Sequence, residues 1–280
     1  MGNHHRRHVL MLLVGAGALV ATGAIVGTTL LLSGALSTNA TKQHFRVTHR
    51  VLDLGLEYSV RAAADDVPAP ALGLPGMRAR GAACYREHCV TCHGAPGVAP
   101  DSFALGMLPV PGNLAHSAAA HPPEWLYHVT RKGVRMTGMP AWEYRLSDQS
   151  LWSVVAFLEM LPVLDVDSYR ALMATTVDAS CESRVTLPLH TEGADVLLRQ
   201  YACHSCHQIE SVVGPRVYTG PPLIDWSKRA YIAGVLPNTE ENLARWIMDP
   251  PAISPQTLMP DLGVPPEHAR AMAVFLLTPR

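Results

Sequence analysis

Charged residues are scarce in this sequence, and no segment after residue 40 gathers Lys or Arg. Asp, Glu, Lys and Arg make up 16% of the 280 residues, with a formal net charge of -1, whereas hydrophobic residues make up 48%. A nucleic-acid-binding protein needs a basic patch, so we expect no nucleic-acid partner. The length and the low charge together indicate more than one small domain, with part of the chain outside water.

The hydrophobic excess has one main source near the N-terminus. Residues Val9 to Leu32 carry no charge over 24 positions. As a helix they extend about 36 Å, enough to cross a hydrocarbon core of about 30 Å, so residues 1–40 are predicted to be a transmembrane anchor. A cleaved signal peptide ending at Ala40 is the alternative, although signal cores usually have only about 7 to 15 apolar residues. Arg6 and Arg7 place the N-terminus in the cytoplasm, so the rest of this single-pass chain is expected on the periplasmic side of the cell membrane.

The rest of the chain contains one pattern of features twice. Each copy has a helix, a pair of cysteines, a long loop, a Met-Pro dipeptide and a closing helix, within residues 78–163 and again within 187–280. Residues 41–77 are predicted to form a juxtamembrane amphipathic helix, between His44 and Ala64, and a Pro-rich spacer. Residues 164–186 connect the two copies. Loops this long are uncommon in a compact domain unless a large bound cofactor orders them.

The two cysteine pairs have the same spacing, Cys-x-x-Cys-His. They read CVTCH from Cys89 to His93 and CHSCH from Cys203 to His207. This spacing presents both sulfurs on one side of a helical turn and adds an imidazole, which is the arrangement that attaches haem c through two thioethers and binds its iron. A redox dithiol needs a preceding strand, and a zinc site needs more ligands close by. Two covalently bound haem c groups are therefore predicted, with those two alternatives and coincidence left open.

Both copies resemble class I cytochromes c, over about Arg78 to Pro162 and Leu187 to Arg280. The first is similar to membrane-anchored bacterial cytochromes c in HCVTCHGAPGVAP and MTGMPAW. The second is similar to the cytochrome c domains fused to subunit II of haem-copper oxidases in KRAYIAGVLPNTEENLARWIMDP and TLMPDLGV. The resemblance implies an all-α fold, with two cytochrome c-like haem domains in tandem behind one N-terminal transmembrane helix. It implies thioethers and proximal iron ligands at Cys89, Cys92, His93, Cys203, Cys206 and His207.

The distal ligand that the resemblance implies is a Met in the loop before each closing helix. A thioether is a weak, uncharged ligand for iron, and its loop has to reach the opposite face of the haem. Met139 lies 46 residues after His93 and Met259 lies 52 residues after His207, each followed by Pro. These two are predicted to bind iron. The competing methionines, whose alternative role is packing, are Met107, Met136 and Met248.

Three neighbouring side chains are candidates for contact with haem propionates. Trp226, Arg229 and Tyr231 each carry a group that donates a hydrogen bond to a partly buried carboxylate. The resemblance supports this role, and Arg229 is the preferred single residue.

Two cysteines lie outside the pairs, Cys84 and Cys181. In an oxidising compartment such a couple often forms a disulfide. The alternative is that Cys84 packs as a small apolar residue and Cys181 stays free. The second is favoured, because nothing in the sequence brings the two Cα atoms within about 7 Å.

These features predict a membrane-tethered dihaem electron carrier rather than an enzyme. His/Met ligation fills both axial positions of the iron, so no small-molecule substrate is expected. Single electrons would pass between a respiratory dehydrogenase or quinol-oxidising complex and a terminal acceptor, with a haem-copper oxidase as the first partner to test. The alternatives are a dihaem peroxidase, which needs a displaceable distal ligand, and a cytochrome subunit of a membrane dehydrogenase complex.

Overall fold

A computed structural model of the protein describes residues 2–182 and 193–279. The predicted boundary between the connector and the second domain, at residues 186 and 187, lies outside the described residues. The two copies at residues 78–163 and 187–280 are called the first and second units below. The N-terminal part contains α1 (Gly2–Leu32) and α2 (Arg46–Ala64). The helices of the first unit are α3 (Met77–His88), α4 (Val90–His93), α5 (Ser102–Leu105), α6 (Leu114–Ala120), α7 (Pro123–Lys132) and α8 (Asp148–Leu158). The connector forms α9 (Val166–Thr175).

The second repeat unit is helical apart from one small ribbon. Its elements are α10 (Ala194–Gln200), β1 (Tyr231–Ile232), β2 (Leu236–Pro237), α11 (Glu240–Met248), α12 (Pro250–Ile253) and α13 (Pro266–Leu277). Within the residues that the structure describes, the antiparallel pair β1–β2 is the one correction to the all-α prediction. Ala233 and Gly234 both have positive φ at the turn, of 48° and 76°, and two such residues favour a tight hairpin.

Helix α1 contains the predicted apolar span. The span His5–Leu32 has 28 residues, and its most apolar window of 18 residues has a mean hydropathy of 2.4 and contains no residue buried against the rest of the described chain. Their length and composition suffice to cross a membrane. A signal sequence near the N-terminus has the same two properties, so the helix is a membrane anchor or a signal sequence.

The core of the first unit forms where α3 crosses α8. A side chain on Gly81 would overlap the backbone of Ser153, so glycine allows the two helices to approach closely. Next to this crossing the rings of Tyr85 and Phe157 lie 4.9 Å apart, and both residues are fully buried. The Tyr85 hydroxyl donates to the Gly94 carbonyl at 2.6 Å, which holds the end of the first Cys-x-x-Cys-His motif against the core.

A disulfide joins Cys84 on α3 to Cys181 in the connector, with the Cα atoms 4.7 Å apart. The prediction that favoured a free Cys181 is therefore wrong. Residues after α9 fold back over α3 and α8, and two further contacts hold them there. Arg86 Nη2 donates to the Ala179 carbonyl at 3.5 Å, and Ser150 Oγ donates to the Glu182 carbonyl at 2.9 Å.

The core of the second unit forms where α10 and α11 pack on α13. Leu197, Leu243 and Met272 contribute one buried side chain from each of these helices. In the same core the Tyr201 hydroxyl lies 2.9 Å from His268 Nδ1, and both residues are buried. This pair is polar, and its mutual hydrogen bond compensates part of the loss of water.

The two units touch through the residues that follow Met139 and those that precede Cys203. Gln200 Nε2 donates to the Ala141 carbonyl at 3.2 Å, and Arg145 Nη2 donates to the Gln200 carbonyl at 3.4 Å. The Arg145 guanidinium also lies 5.0 Å from the centre of the Tyr201 ring. The loop of one candidate ligand therefore contacts the segment that leads into the other cysteine motif.

Candidate haem sites

Each cysteine motif begins where a helix ends. Helix α3 stops at His88, and α4 carries Cys92 and His93 on its single turn. In the second unit α10 ends at Gln200, and Cys203 opens a 3₁₀ turn. All four motif cysteines are half-buried free thiols, so two pairs of sulfurs are present for thioether bonds.

Both motif histidines are oriented by a backbone carbonyl. His93 Nδ1 lies 2.7 Å from the Gly112 oxygen, and His207 Nδ1 lies 2.7 Å from the Pro221 oxygen. Because a carbonyl oxygen only accepts hydrogen bonds, Nδ1 is the protonated nitrogen in each ring. This leaves the Nε2 lone pair of each ring for a metal, as in metal-binding histidines whose other nitrogen donates to a carbonyl.

The second imidazole also depends on a glycine. A Cβ at Gly220 would lie 2.7 Å from His207 Nδ1 and closer still to Cε1, so any other residue there collides with the ring. The Gly220 N–H donates to the Cys206 carbonyl at 2.8 Å, which ties this glycine to the motif. Sequence reasoning missed Gly220, Gly112 and Pro221. The sequence GPPL at residues 220–223 marks a loop, but no local pattern predicts that this loop lies against His207.

The thiol pKa values separate haem attachment from redox chemistry of the cysteines. Burial, with a smaller contribution from Cys92, raises the pKa of Cys89 to about 12, and burial, with a smaller contribution from Cys206, raises the pKa of Cys203 to about 11. A redox-active dithiol needs the opposite, a thiol pKa lowered towards neutrality. The raised values disfavour the redox-dithiol alternative.

A zinc site also lacks support within residues 2–182 and 193–279. The one group there with metal-ligand spacing is Glu87, His88 and Cys181. Cys181 is bonded to Cys84, so its sulfur is not a thiolate ligand. The remaining two groups are too few for a structural zinc site.

The two candidate distal methionines share one local structure. The Thr137 hydroxyl accepts from the Met139 N–H at 3.1 Å, and the Thr257 hydroxyl accepts from the Met259 N–H at 3.2 Å. Both methionines are half-buried. The repeated Thr-x-Met-Pro sequence, TGMP and TLMP, was a readable signal for this turn, and our sequence analysis used only its Met-Pro part.

The competing methionines lie in different surroundings. Met136 is 89% exposed, and its backbone has φ of 62°, so its side chain lies in water. Met248 ends α11 and packs against the core of the second unit. Met107 lies against Gly138, where a Cβ would come within 2.7 Å of its sulfur. The Met107 side chain therefore packs against the residue that precedes Met139.

The proposed propionate contacts have other partners in the structure. Arg229 Nη2 donates to the Pro222 carbonyl at 2.7 Å, and its guanidinium lies 4.8 Å from the centre of the Trp226 ring. The Trp226 indole N–H donates to Asn238 Oδ1 at 3.1 Å. Tyr231 is 61% exposed. Arg229 thus fixes the residue next to Pro221, whose carbonyl orients His207.

The donor set fits haem c, and comparison with known proteins agrees for the first unit. Residues 76–158 match the family described as cytochrome c oxidase, cbb3-type, subunit III. These residues form a cytochrome c domain, and at least one haem c is expected from it. The class is that of electron carriers related to oxidase-associated cytochrome c domains.

Two relatives are each described as cytochrome c oxidase subunit 2. The protein from Bacillus sp. strain PS3 is 34% identical over 76 residues, which is 27% of this chain and 21% of the relative. The protein from Alkalihalophilus pseudofirmus is 32% identical over 103 residues, which is 36% of this chain and 28% of the relative. The chain therefore spans about a quarter of the length of these two relatives. No solved structure matches the chain.

Proposed function

We propose that this chain is a membrane-tethered dihaem cytochrome c that carries single electrons in a respiratory chain. One observation carries the proposal. The same site is built twice, with a Cys-x-x-Cys-His motif, an imidazole whose Nδ1 donates to a carbonyl at 2.7 Å, and a Met whose N–H is held by Thr. Two copies of one detailed arrangement support a second haem domain beside the one at residues 76–158.

The residues that would hold each haem follow from this arrangement. Cys89 with Cys92, and Cys203 with Cys206, would form the thioethers. His93 and His207 would bind iron through Nε2, with Met139 and Met259 as the opposite ligands. Haem c, when bound, supplies a one-electron couple at its iron. The carbonyls of Gly112 and Pro221 keep each imidazole in the tautomer and orientation that this binding requires.

The Met side of each site argues against the peroxidase alternative. A peroxidase needs a distal position that opens, whereas Met139 and Met259 are each held by a Thr hydroxyl on the backbone N–H. The Trp246 indole N–H also donates to the Met259 sulfur at 3.2 Å, which restrains that side chain. These contacts support Met as a retained ligand in both units, as an electron carrier requires.

The membrane tether is proposed from α1. Arg6 and Arg7 precede the apolar span, and the positive-inside rule puts this end in the cytoplasm. The haem units would then lie on the periplasmic side. Intact mass of the purified chain tests the tether, since a signal peptide cleaved at Ala40 would remove residues 1–40.

The acceptor is proposed to be a haem-copper oxidase, and the donor a respiratory dehydrogenase or a quinol-oxidising complex. Both relatives reported above are subunits of cytochrome c oxidase, and the match at residues 76–158 is to a subunit of a cbb3-type oxidase. A cytochrome subunit of a membrane dehydrogenase complex is the second candidate. Mild detergent extraction followed by identification of co-purifying subunits separates the two.

The deciding experiment counts covalent haem. Pyridine haemochrome on the denatured, full-length protein is expected to give two haems c per chain. The double variant Cys203→Ala/Cys206→Ala and its matched control Cys89→Ala/Cys92→Ala should each give one. A count of one in the unmodified protein, unchanged by the second-unit variant, would refute the dihaem proposal. Carbon monoxide added to the reduced protein should leave its spectrum unchanged if both irons are six-coordinate.

A further inference from the structure

Helix α2 separates its charged side chains from its apolar ones. At about 100° per residue, its charged and His side chains fall within an arc of about 120°. The buried residues Val60 and Ala64 lie in the same arc, which therefore faces the first unit, where α2 packs on α7. These charged and His side chains are Arg46, His49, Arg50, Asp53, Glu57 and Arg61.

The other two thirds of the helix surface carries no charge. Six large apolar side chains at its start and along this surface are each between 56% and 81% exposed within the described chain. They are Phe45, Val47, Val51, Leu52, Leu54 and Tyr58. An apolar surface of this extent on a short helix marks a contact with something outside the chain.

We propose that this uncharged surface of α2 lies in the membrane interface, with the first unit resting on the charged side of the helix. The uncharged surface covers about 240° of the helix circumference, which is broader than the apolar stripe of about 100° or somewhat more that a helix packed on protein typically buries. A helix in the headgroup region immerses a broad apolar face and keeps its charges on the other side.

The position of α2 in the chain supports a lipid surface as the occupant. Helix α1 ends at Leu32, and the segment 33–45 that follows has 13 residues. Fully extended, this segment reaches at most about 45 Å, so α2 starts within that distance of the end of the proposed anchor.

Two labelled positions on the same helix test the proposal. Val51 and Asp53 are both exposed and lie about 160° apart around α2. Val51→Cys and, as the matched control, Asp53→Cys are spin-labelled in the full-length chain within nanodiscs of phosphatidylethanolamine and phosphatidylglycerol. The label at Val51 should be relaxed more by oxygen than by a water-soluble nickel chelate. The label at Asp53 should show the reverse preference.

Two results would overturn the membrane contact. Equal access of the nickel chelate to both labels would mean that α2 stands in water. Shielding of the Val51 label from both reagents would mean that protein, either a partner or a second copy of the chain, covers this surface. The inference rests on the proposed anchor and not on the second haem. An intact mass lacking residues 1–40 would refute the anchor. The same two spin labels on that shortened chain, mixed with vesicles of the same lipids, would still show whether α2 contacts the membrane.

Discussion

Replacement of Gly220 by Ala should disturb the second candidate haem site and leave the first intact. The new methyl group would lie 2.7 Å from His207 Nδ1, where about 3.5 Å is the shortest comfortable separation. Either the imidazole or the loop that contains Gly220 therefore has to move by close to 1 Å. Overpacking of this size costs about 1–3 kcal/mol. If the imidazole moves, the ratio of bound to unbound His207 falls by about 5- to 150-fold.

The loop has little freedom to move instead. The Gly220 N–H is bonded to the Cys206 carbonyl at 2.8 Å, and the neighbouring Pro221 carbonyl holds His207 Nδ1. A shift of the backbone breaks the contacts that orient the same imidazole. We therefore expect Gly220→Ala to retain two covalent haems, since the cysteines are unchanged, but to bind carbon monoxide at one reduced iron.

The matched control is Gly112→Ala in the first unit. The Gly112 carbonyl orients His93 as the Pro221 carbonyl orients His207, but a Cβ at Gly112 meets no atom within 4 Å. This variant should behave as the unmodified protein in visible spectra, carbon monoxide binding and midpoint potentials. If Gly220→Ala also leaves all three unchanged, the close packing of Gly220 on the second ligand has no role in its ligation, and our reasoning about that site fails.

Three further changes probe the packing around the sites. Loss of the disulfide in Cys84→Ala/Cys181→Ala should lower the free energy of unfolding of the first unit by about 2–4 kcal/mol, because the bond closes a loop over 97 positions. Urea unfolding followed separately at each unit should show no change in the stability of the second unit. Burial lowers the pKa of His268, so below about pH 6.5 the unfolded chain binds a proton that the folded chain does not, and the free energy of unfolding falls with the pH by at most about 1.4 kcal/mol per pH unit. His268→Gln should flatten this pH dependence between pH 7 and 5, and an unchanged slope would mean that His268 does not cause it. Arg145→Ala and Tyr201→Leu should show a coupling of about 0.5–1 kcal/mol in a double-mutant cycle, and additive effects would mean that their stacking across the junction contributes nothing.

The sequence was informative wherever chemistry or periodicity is local. The helix expected between residues 44 and 64 is observed at Arg46–Ala64, and the closing helix expected in the second copy is observed at Pro266–Leu277. Hydrophobic periodicity and capping residues determine such elements over a few turns. The Cys-x-x-Cys-His motif and the Met-Pro dipeptide are likewise short segments, and they identified the candidate ligands.

Features that depend on distant segments were not predicted. The carbonyl partners of His93 and His207 lie 19 and 14 residues away in loops without periodicity. The bond from Cys84 to Cys181 depends on the turn of the chain after α9, which no local pattern encodes. The hairpin at Ala233 was overlooked because its two strands have only two residues each, too short for an alternating pattern.

The contact between the two units explains how one chain can hold two candidate haem sites close together. Ala141 and Arg145 follow Met139 by two and six residues, and Gln200 precedes Cys203 by three. The hydrogen bonds among these residues therefore link the loop of the candidate ligand Met139 to the segment that precedes the second cysteine motif. Two separate cytochromes lose translational and rotational entropy each time they associate, whereas two units in one chain stay together through this contact. A displacement of the Met139 loop would then reach Tyr201 through Arg145, so a change of ligation in the first unit should alter the spectrum or potential of the second.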